Sequence, residues 1–165
     1  MTLPPSRRKP ELEIEIQVAS SLWAAQPRAE ATVRAAIDAA ASAADARGAV
    51  SVLLTDDAAM RALNRDWRQI DKPTNVLSFP AAKSGADAFL GDIVIAYETL
   101  ARESVDEDRD FLHHLAHLTV HGFLHLIGYD HQTEVQADDM EALEGRIMRS
   151  MNMPDPYLAR DLERS

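Results

Sequence analysis

His113-His-Leu-Ala-His-Leu-Thr-Val-His-Gly-Phe-Leu-His-Leu-Ile-Gly-Tyr-Asp-His131 contains all six histidines of the chain. The run from Asp110 to Ile127 reads as a helix. His121 and His125 are one turn apart on it, offset by about 40° around the axis and about 6 Å along it, so both imidazoles can reach one ion. Gly128 lets the helix end in a left-handed residue and the chain turn back, which delivers His131 as a third ligand. His113 and His117 continue the four-residue step backwards. His117 is left outside the ligand set, as a residue that orients a ligand, helps bind substrate, or is simply hydrogen-bonded or exposed. His113 and His114 are expected at the surface near the helix start.

Written as His-x-x-x-His-x-x-Gly-x-x-His, the spacing is that of the metzincin proteases without their glutamate. Three neutral nitrogens leave the fourth tetrahedral position of zinc open to water, whose pKa then falls towards ~7. The chain has no cysteine, so disulfides, thiolate ligands and a cysteine nucleophile are excluded and any metal must sit on His, Asp or Glu. One Zn2+ ion on His121, His125 and His131 is the expectation. Zincins place their general base directly after the first histidine, and here that residue is Gly122, so a peptidase mechanism lacks its base. Glycine inside a helix costs ~1 kcal/mol relative to alanine, which signals either a need for close approach beside His121 or tight packing against another element.

Upstream of this zincin-like helix the pattern is mostly strand and helix in alternation. Glu11 to Val18 alternates polar and apolar residues, as a strand with one wet face does. Pro27 to Arg47 is an alanine-rich helix with Gly48 as its expected C-cap. Ala49 to Thr55 reads as a second strand, and Thr55 or Asp56 can cap a helix that buries Met60, Leu63 and Trp67. Asn75 to Phe79, closed by Pro80, and Gly91 to Tyr97 are the third and fourth strands, with a loop over 81–90 between them. Helices over 98–103 and 134–150 complete the domain. These elements predict an α+β fold, a small four-stranded mixed sheet with helices packed mainly on one face. The domain is read over 11–150, with a flexible extension over 1–10 and an irregular tail over 151–165.

The chain is 46% hydrophobic and 27% charged, ordinary for a soluble globular protein, and no apolar run approaches the ~18 residues that span a bilayer. The alternating Glu and Ile after Arg7, Arg8 and Lys9 do not form a signal peptide, so a cytoplasmic protein is expected. A net charge of −10 argues against coating nucleic acid through the overall field. Positive charge is nonetheless gathered at Arg61, Arg65, Arg68, Lys72 and Lys83, where a polyanion would bind if one does. Arg68, at the end of its helix, has a planar fork that could grip two phosphate oxygens, and could equally be an exposed salt-bridge partner. Lys72 and Asn75 could touch a phosphate or fix the turn.

His121-Gly-Phe-Leu-His-Leu-Ile-Gly-Tyr-Asp-His131 resembles the signature of the YbeY family of bacterial rRNA maturation endoribonucleases. A second block agrees: Leu63-Asn64, Arg68, Asp71 and Thr74-Asn-Val-Leu-Ser-Phe-Pro80 match that family's other signature, and Gly91-Asp-Ile-Val-Ile95 its following strand. The resemblance runs from about Leu53 to Ile147. It implies zinc on the three histidines, Arg68 as a functionally important arginine, cleavage of single-stranded RNA, maturation of 16S rRNA 3′ ends and a part in ribosome quality control. Ribosomal RNA, small-subunit proteins and assembly factors are the implied partners. Two rivals use the same histidines: a metallopeptidase, and a non-catalytic ribosome-assembly factor that zinc merely stabilises. The sequence identifies no general base, and Asp130 is as suited to capping the turn.

Overall fold

The computed structural model describes residues 12–82 and 88–158. Its four strands, β1 (Leu12–Val18), β2 (Gly48–Thr55), β3 (Val76–Pro80) and β4 (Phe89–Ala96), form one sheet in the order β1-β2-β4-β3. β1, β2 and β4 run parallel, and β3 pairs antiparallel with β4 at the edge. Around the sheet lie α1 (Ala29–Ala44), α2 (Asp57–Arg68), α3 (Tyr97–Asp106), α4 (Phe111–Leu126) and α5 (Glu134–Ser150). The architecture is α+β with a mixed sheet, as the sequence pattern predicts.

Periodicity explains which face each element buries. In β1, Leu12, Ile14 and Ile16 are half-buried while Glu13, Glu15 and Gln17 are exposed. β2 and β4 are covered on both faces, so they read as continuous apolar runs. Val50, Val52, Leu54, Ile93 and Ile95 meet α1, α4 and α5 in the main core. A smaller cluster of Met60, Leu77, Val94 and Ala96 fills the opposite face under α2. α4 lies inside the helical layer, with Leu115, Val120, Phe123 and Leu124 fully buried. Each such side chain contributes about 1.5–3 kcal/mol by leaving water, so the histidine-bearing helix is among the most firmly held elements. Asp110 caps it, accepting from the backbone N–H groups of Leu112 and His113.

Several expectations shift. α1 ends at Asp45, in the left-handed region at φ 51°, while Gly48 opens β2. Asp56 is the cap of α2, its carboxylate 2.9 Å from the Ala59 nitrogen. A short 3-10 helix at Ser21–Ala25, not anticipated, buries Trp23, whose indole N–H donates to the Thr55 carbonyl. Trp67, expected in the core, is 69% exposed. Its indole meets Phe79 of β3 edge to face, at 6.2 Å between ring centres. His114, expected at the surface, is 5% exposed, because α3 brings Glu103 Oε1 to 2.9 Å from its Nε2. The extension over 1–10, with Arg7 to Lys9, lies outside the described residues, as do Lys83 and residues 83–87 of the expected loop. No helix among the described residues is long and apolar enough to cross a membrane.

Candidate metal centre

α4 ends in a Schellman turn: Tyr129 N–H reaches the Leu124 carbonyl at 3.0 Å and Gly128 N–H the His125 carbonyl at 3.2 Å. Gly128 sits at φ 106°, which L side chains rarely adopt. The chain reverses there, and Asp130 secures the return by accepting the His131 N–H at 2.8 Å. His121 and His125 are half-buried and His131 is exposed, yet one nitrogen from each lies within 4.8 Å of the others. This group could hold a metal ion.

Hydrogen bonding on the far side of each ring decides which nitrogens carry lone pairs. His121 Nδ1 is 2.6 Å from the Glu144 carboxylate, and His125 Nδ1 is 2.9 Å from the Tyr129 carbonyl. Both partners are acceptors, so in the neutral rings both protons sit on Nδ1 and both Nε2 atoms present lone pairs. Those two Nε2 atoms face each other at 3.1 Å. Two acceptors repel at that distance unless a cation lies between them, and nitrogens sharing a tetrahedral zinc at ~2.0–2.1 Å are about 3.3 Å apart. Burial, then the His121 charge beside it, pushes the His125 pKa below its usual value, which favours the neutral ligand form.

Glu144 is fully buried on α5, in the stripe formed by Met140, Leu143, Ile147 and Met148. Burial alone would raise its pKa, but hydrogen bonds from His117 and His121 more than reverse that and hold it at about 2. One carboxylate oxygen takes the His121 Nδ1–H. The other receives the His117 Nε2 at 3.2 Å and a short hydrogen bond from the Tyr157 hydroxyl. His117 is therefore a partner of the group behind His121.

In front of the histidines opens a cleft of about 690 Å³, lined by Arg68, Asn75, Ser78, His117, Tyr129 and Tyr157 among others. The basic cluster is sorted by its partners. Arg61 is forked onto Asp71 at 2.8 and 3.1 Å, and Arg65 pairs with Asp66. Arg68 reaches the cleft wall with no ion pair among the described residues. Asn75 fixes its turn: its amide donates to Glu103 at 2.9 Å and its carbonyl oxygen accepts the Val76 N–H. Lys72 is exposed, and its backbone carbonyl accepts from Asn64.

A family profile described as Endoribonuclease YbeY matches residues 15–152. The chain belongs to the YbeY family. A Bradyrhizobium sp. (strain BTAi1) protein named Endoribonuclease YbeY is 52% identical over 157 residues, covering 89% of this chain and 93% of that one. A Rhodopseudomonas palustris (strain BisA53) protein of the same name is 53% identical over 156 residues, covering 89% and 91%. The solution structure of a Thermotoga maritima protein shares the fold, with a TM-score of 0.53 at 19% identity over 84% of this chain and 91% of that one.

Within this YbeY-family fold the structure brings His121, His125 and His131 together, with Arg68 lining the same cleft. Gly122 is explained by packing. A Cβ there would lie 3.1 Å from Ile93 Cγ2 and 3.1 Å from Ser78 Oγ, and that hydroxyl donates to the Gly122 carbonyl at 2.9 Å. Two site residues escaped the sequence reading. Glu144 had a signal, a charge inside the apolar stripe of a helix, hidden by the acidic residues around it. Tyr157 had none, because it follows Pro154 and Pro156 in a segment without periodicity.

Proposed function

We propose that this chain is a zinc-dependent endoribonuclease that cuts single-stranded RNA, acting in the cytoplasm in 16S rRNA 3′-end maturation and ribosome quality control. The observation that carries the metal part is the pair of Nε2 lone pairs facing each other at 3.1 Å with His131 beside them. Three imidazole donors suit zinc, which is borderline-soft and keeps an open position in catalytic sites. The names of the relatives support the endoribonuclease activity, and the likeness of the two signature blocks supports the ribosomal substrate. When bound, the ion supplies a Lewis acid for a phosphoryl oxygen and lowers the pKa of water.

The chain's own residues take the remaining tasks. Arg68, on the cleft wall with no ion pair among the described residues, offers a bidentate grip on the phosphodiester and stabilises the negative charge that develops as the bond breaks. Trp67, beside it and exposed, offers a stacking surface that a single-stranded base can use and a paired base cannot. Glu144 faces the Nδ1 side of His121, away from the ligand nitrogen, so it holds the ring instead of serving as base to water in the cleft. Gly122 stands where a peptidase would carry its carboxylate, which weighs against peptide hydrolysis. A net charge of −10 disfavours long-range capture of RNA, so small-subunit proteins or assembly factors would deliver the substrate.

The test is cleavage of matched single-stranded and duplex RNA by wild type, Arg68→Glu and His125→Ala. Single-strand cutting by wild type, lost in both folded variants, is the expected result. Peptide turnover without RNA cleavage would replace this reading with a peptidase, and unaltered RNA ends in cells carrying Arg68→Glu would favour a non-catalytic assembly factor. A 2′,3′-cyclic phosphate on the product would assign attack to the ribose 2′-hydroxyl, and its absence would assign it to water.

A further inference from the structure

We infer that the C-terminal segment Met151–Leu158 is a positioning element for the metal ligand His121, acting through Tyr157 and Glu144. This rests on the metal-binding part of the reading above. Residues 151–157 lie in no strand or helix, yet their path is fixed at several points. Met153 N–H donates to the Met148 carbonyl at 3.0 Å. Arg109 donates to the Pro156 carbonyl at 3.2 Å, and Pro156 is buried.

The segment packs tightly at Gly145, the residue after Glu144 on α5. The Asp155 carboxylate occupies the space a Cβ on Gly145 would need. It cannot swing aside freely, because one oxygen accepts the Tyr157 N–H at 2.9 Å and the other the Arg149 guanidinium at 2.6 Å. Asp155 therefore docks against α5 and caps the turn that aims Tyr157 inward. The Tyr157 hydroxyl then donates to one Glu144 oxygen, while its ring stands edge-on to His117 at 5.4 Å.

Glu144 is wholly buried, so its orientation is set by these donors and not by water. With one oxygen held by Tyr157 and His117, the other is aimed at His121 Nδ1, fixing the ring's tautomer and the direction of its Nε2 lone pair. Carboxylates that hold a ligating histidine in this way typically account for ~10–100-fold in metal affinity. Tyr157 stands one bond further out and should matter less, and Gly145 matters only by leaving room for Asp155.

The experiment measures zinc affinity by competition with a chromophoric chelator, alongside the thermal midpoint of the metal-free full chain. Glu144→Gln should weaken binding ~10–100-fold. Tyr157→Phe, which removes one oxygen, should weaken it by about 3- to 10-fold, less than loss of a direct partner. Gly145→Ala should weaken it in the same direction without altering any hydrogen-bonding group. Asp110→Ala, at the far end of α4, should lower the midpoint and leave affinity unchanged, which separates positioning from general loosening. If Gly145→Ala does not fold, Tyr157→Phe decides. Wild-type affinity in Tyr157→Phe overturns the inference even where Glu144→Gln binds weakly, because the tail would then be structural alone. A wild-type chain that binds no zinc would overturn it together with the metal-binding reading.

Discussion

Gly122→Ala should destabilise the protein although alanine is the better helix former. Helix propensity favours the change by ~1 kcal/mol. Against it, the new methyl would lie 3.1 Å from Ile93 Cγ2, 3.1 Å from Ser78 Oγ and 3.3 Å from Val76 Cγ2. Comfortable carbon contacts are ~3.5–4.0 Å, so all three neighbours are too near. None yields easily: Ile93 and Val76 are β-branched residues in paired strands, and Ser78 is tied to the Gly122 carbonyl. α4 must then lift from β3 by a few tenths of an ångström, and overpacking of this kind costs ~1–3 kcal/mol. With overpacking at the middle of that range, about 2 kcal/mol, the net loss is about 1 kcal/mol, read as a fall of about 2–4 °C in the midpoint of metal-free protein by thermal denaturation. The same displacement moves His121 relative to Arg68, which lines the same cleft, so RNA cleavage should fall as well. An unchanged or raised midpoint would refute the view that close packing with β3 and β4 selects glycine beside the first histidine.

Trp67→Ala should raise KM for single-stranded RNA by roughly 5- to 100-fold, the worth of one stacked base, with kcat little altered and Trp67→Phe largely restoring KM. Equal kinetics for wild type and Trp67→Ala would remove that stacking surface. Trp23→Phe keeps the buried ring packing but strips the Thr55 carbonyl of its donor, so urea denaturation should show a loss of about 1–3 kcal/mol with no change in zinc binding. Asp56→Ala removes the cap of α2 and should cost ~1 kcal/mol, measured the same way.

Most of the sheet and the helical frame were legible because their signals are local. Alternation marked β1, the β-branched runs marked β2 and β4, and the capping residues Asp56 and Asp110 sit where the pattern placed helix starts. The grouping of His121, His125 and His131 could be read because two lie one helical turn apart and a glycine turn determines where the third returns. What stayed hidden depends on neighbours distant in sequence. Trp67 is exposed because the tertiary packing leaves its face of α2 uncovered apart from the ring contact with Phe79, which the helix's own periodicity does not contain. Burial of His114 depends on Glu103 from α3, and Gly122's role on side chains of β3 and β4. Glu144 looked like one more acidic residue until the fold turned it inward, and Tyr157 acquires its partner only through the docking of Asp155 against Gly145.

The most direct measurement is RNA cleavage by one preparation assayed as purified, after stripping with a chelator, and after return of zinc in increments. Activity should vanish on stripping and return in proportion to zinc, saturating at one equivalent per chain. Cleavage at full rate by the stripped protein would contradict the claim that His121, His125 and His131 hold the ion on which the reaction depends.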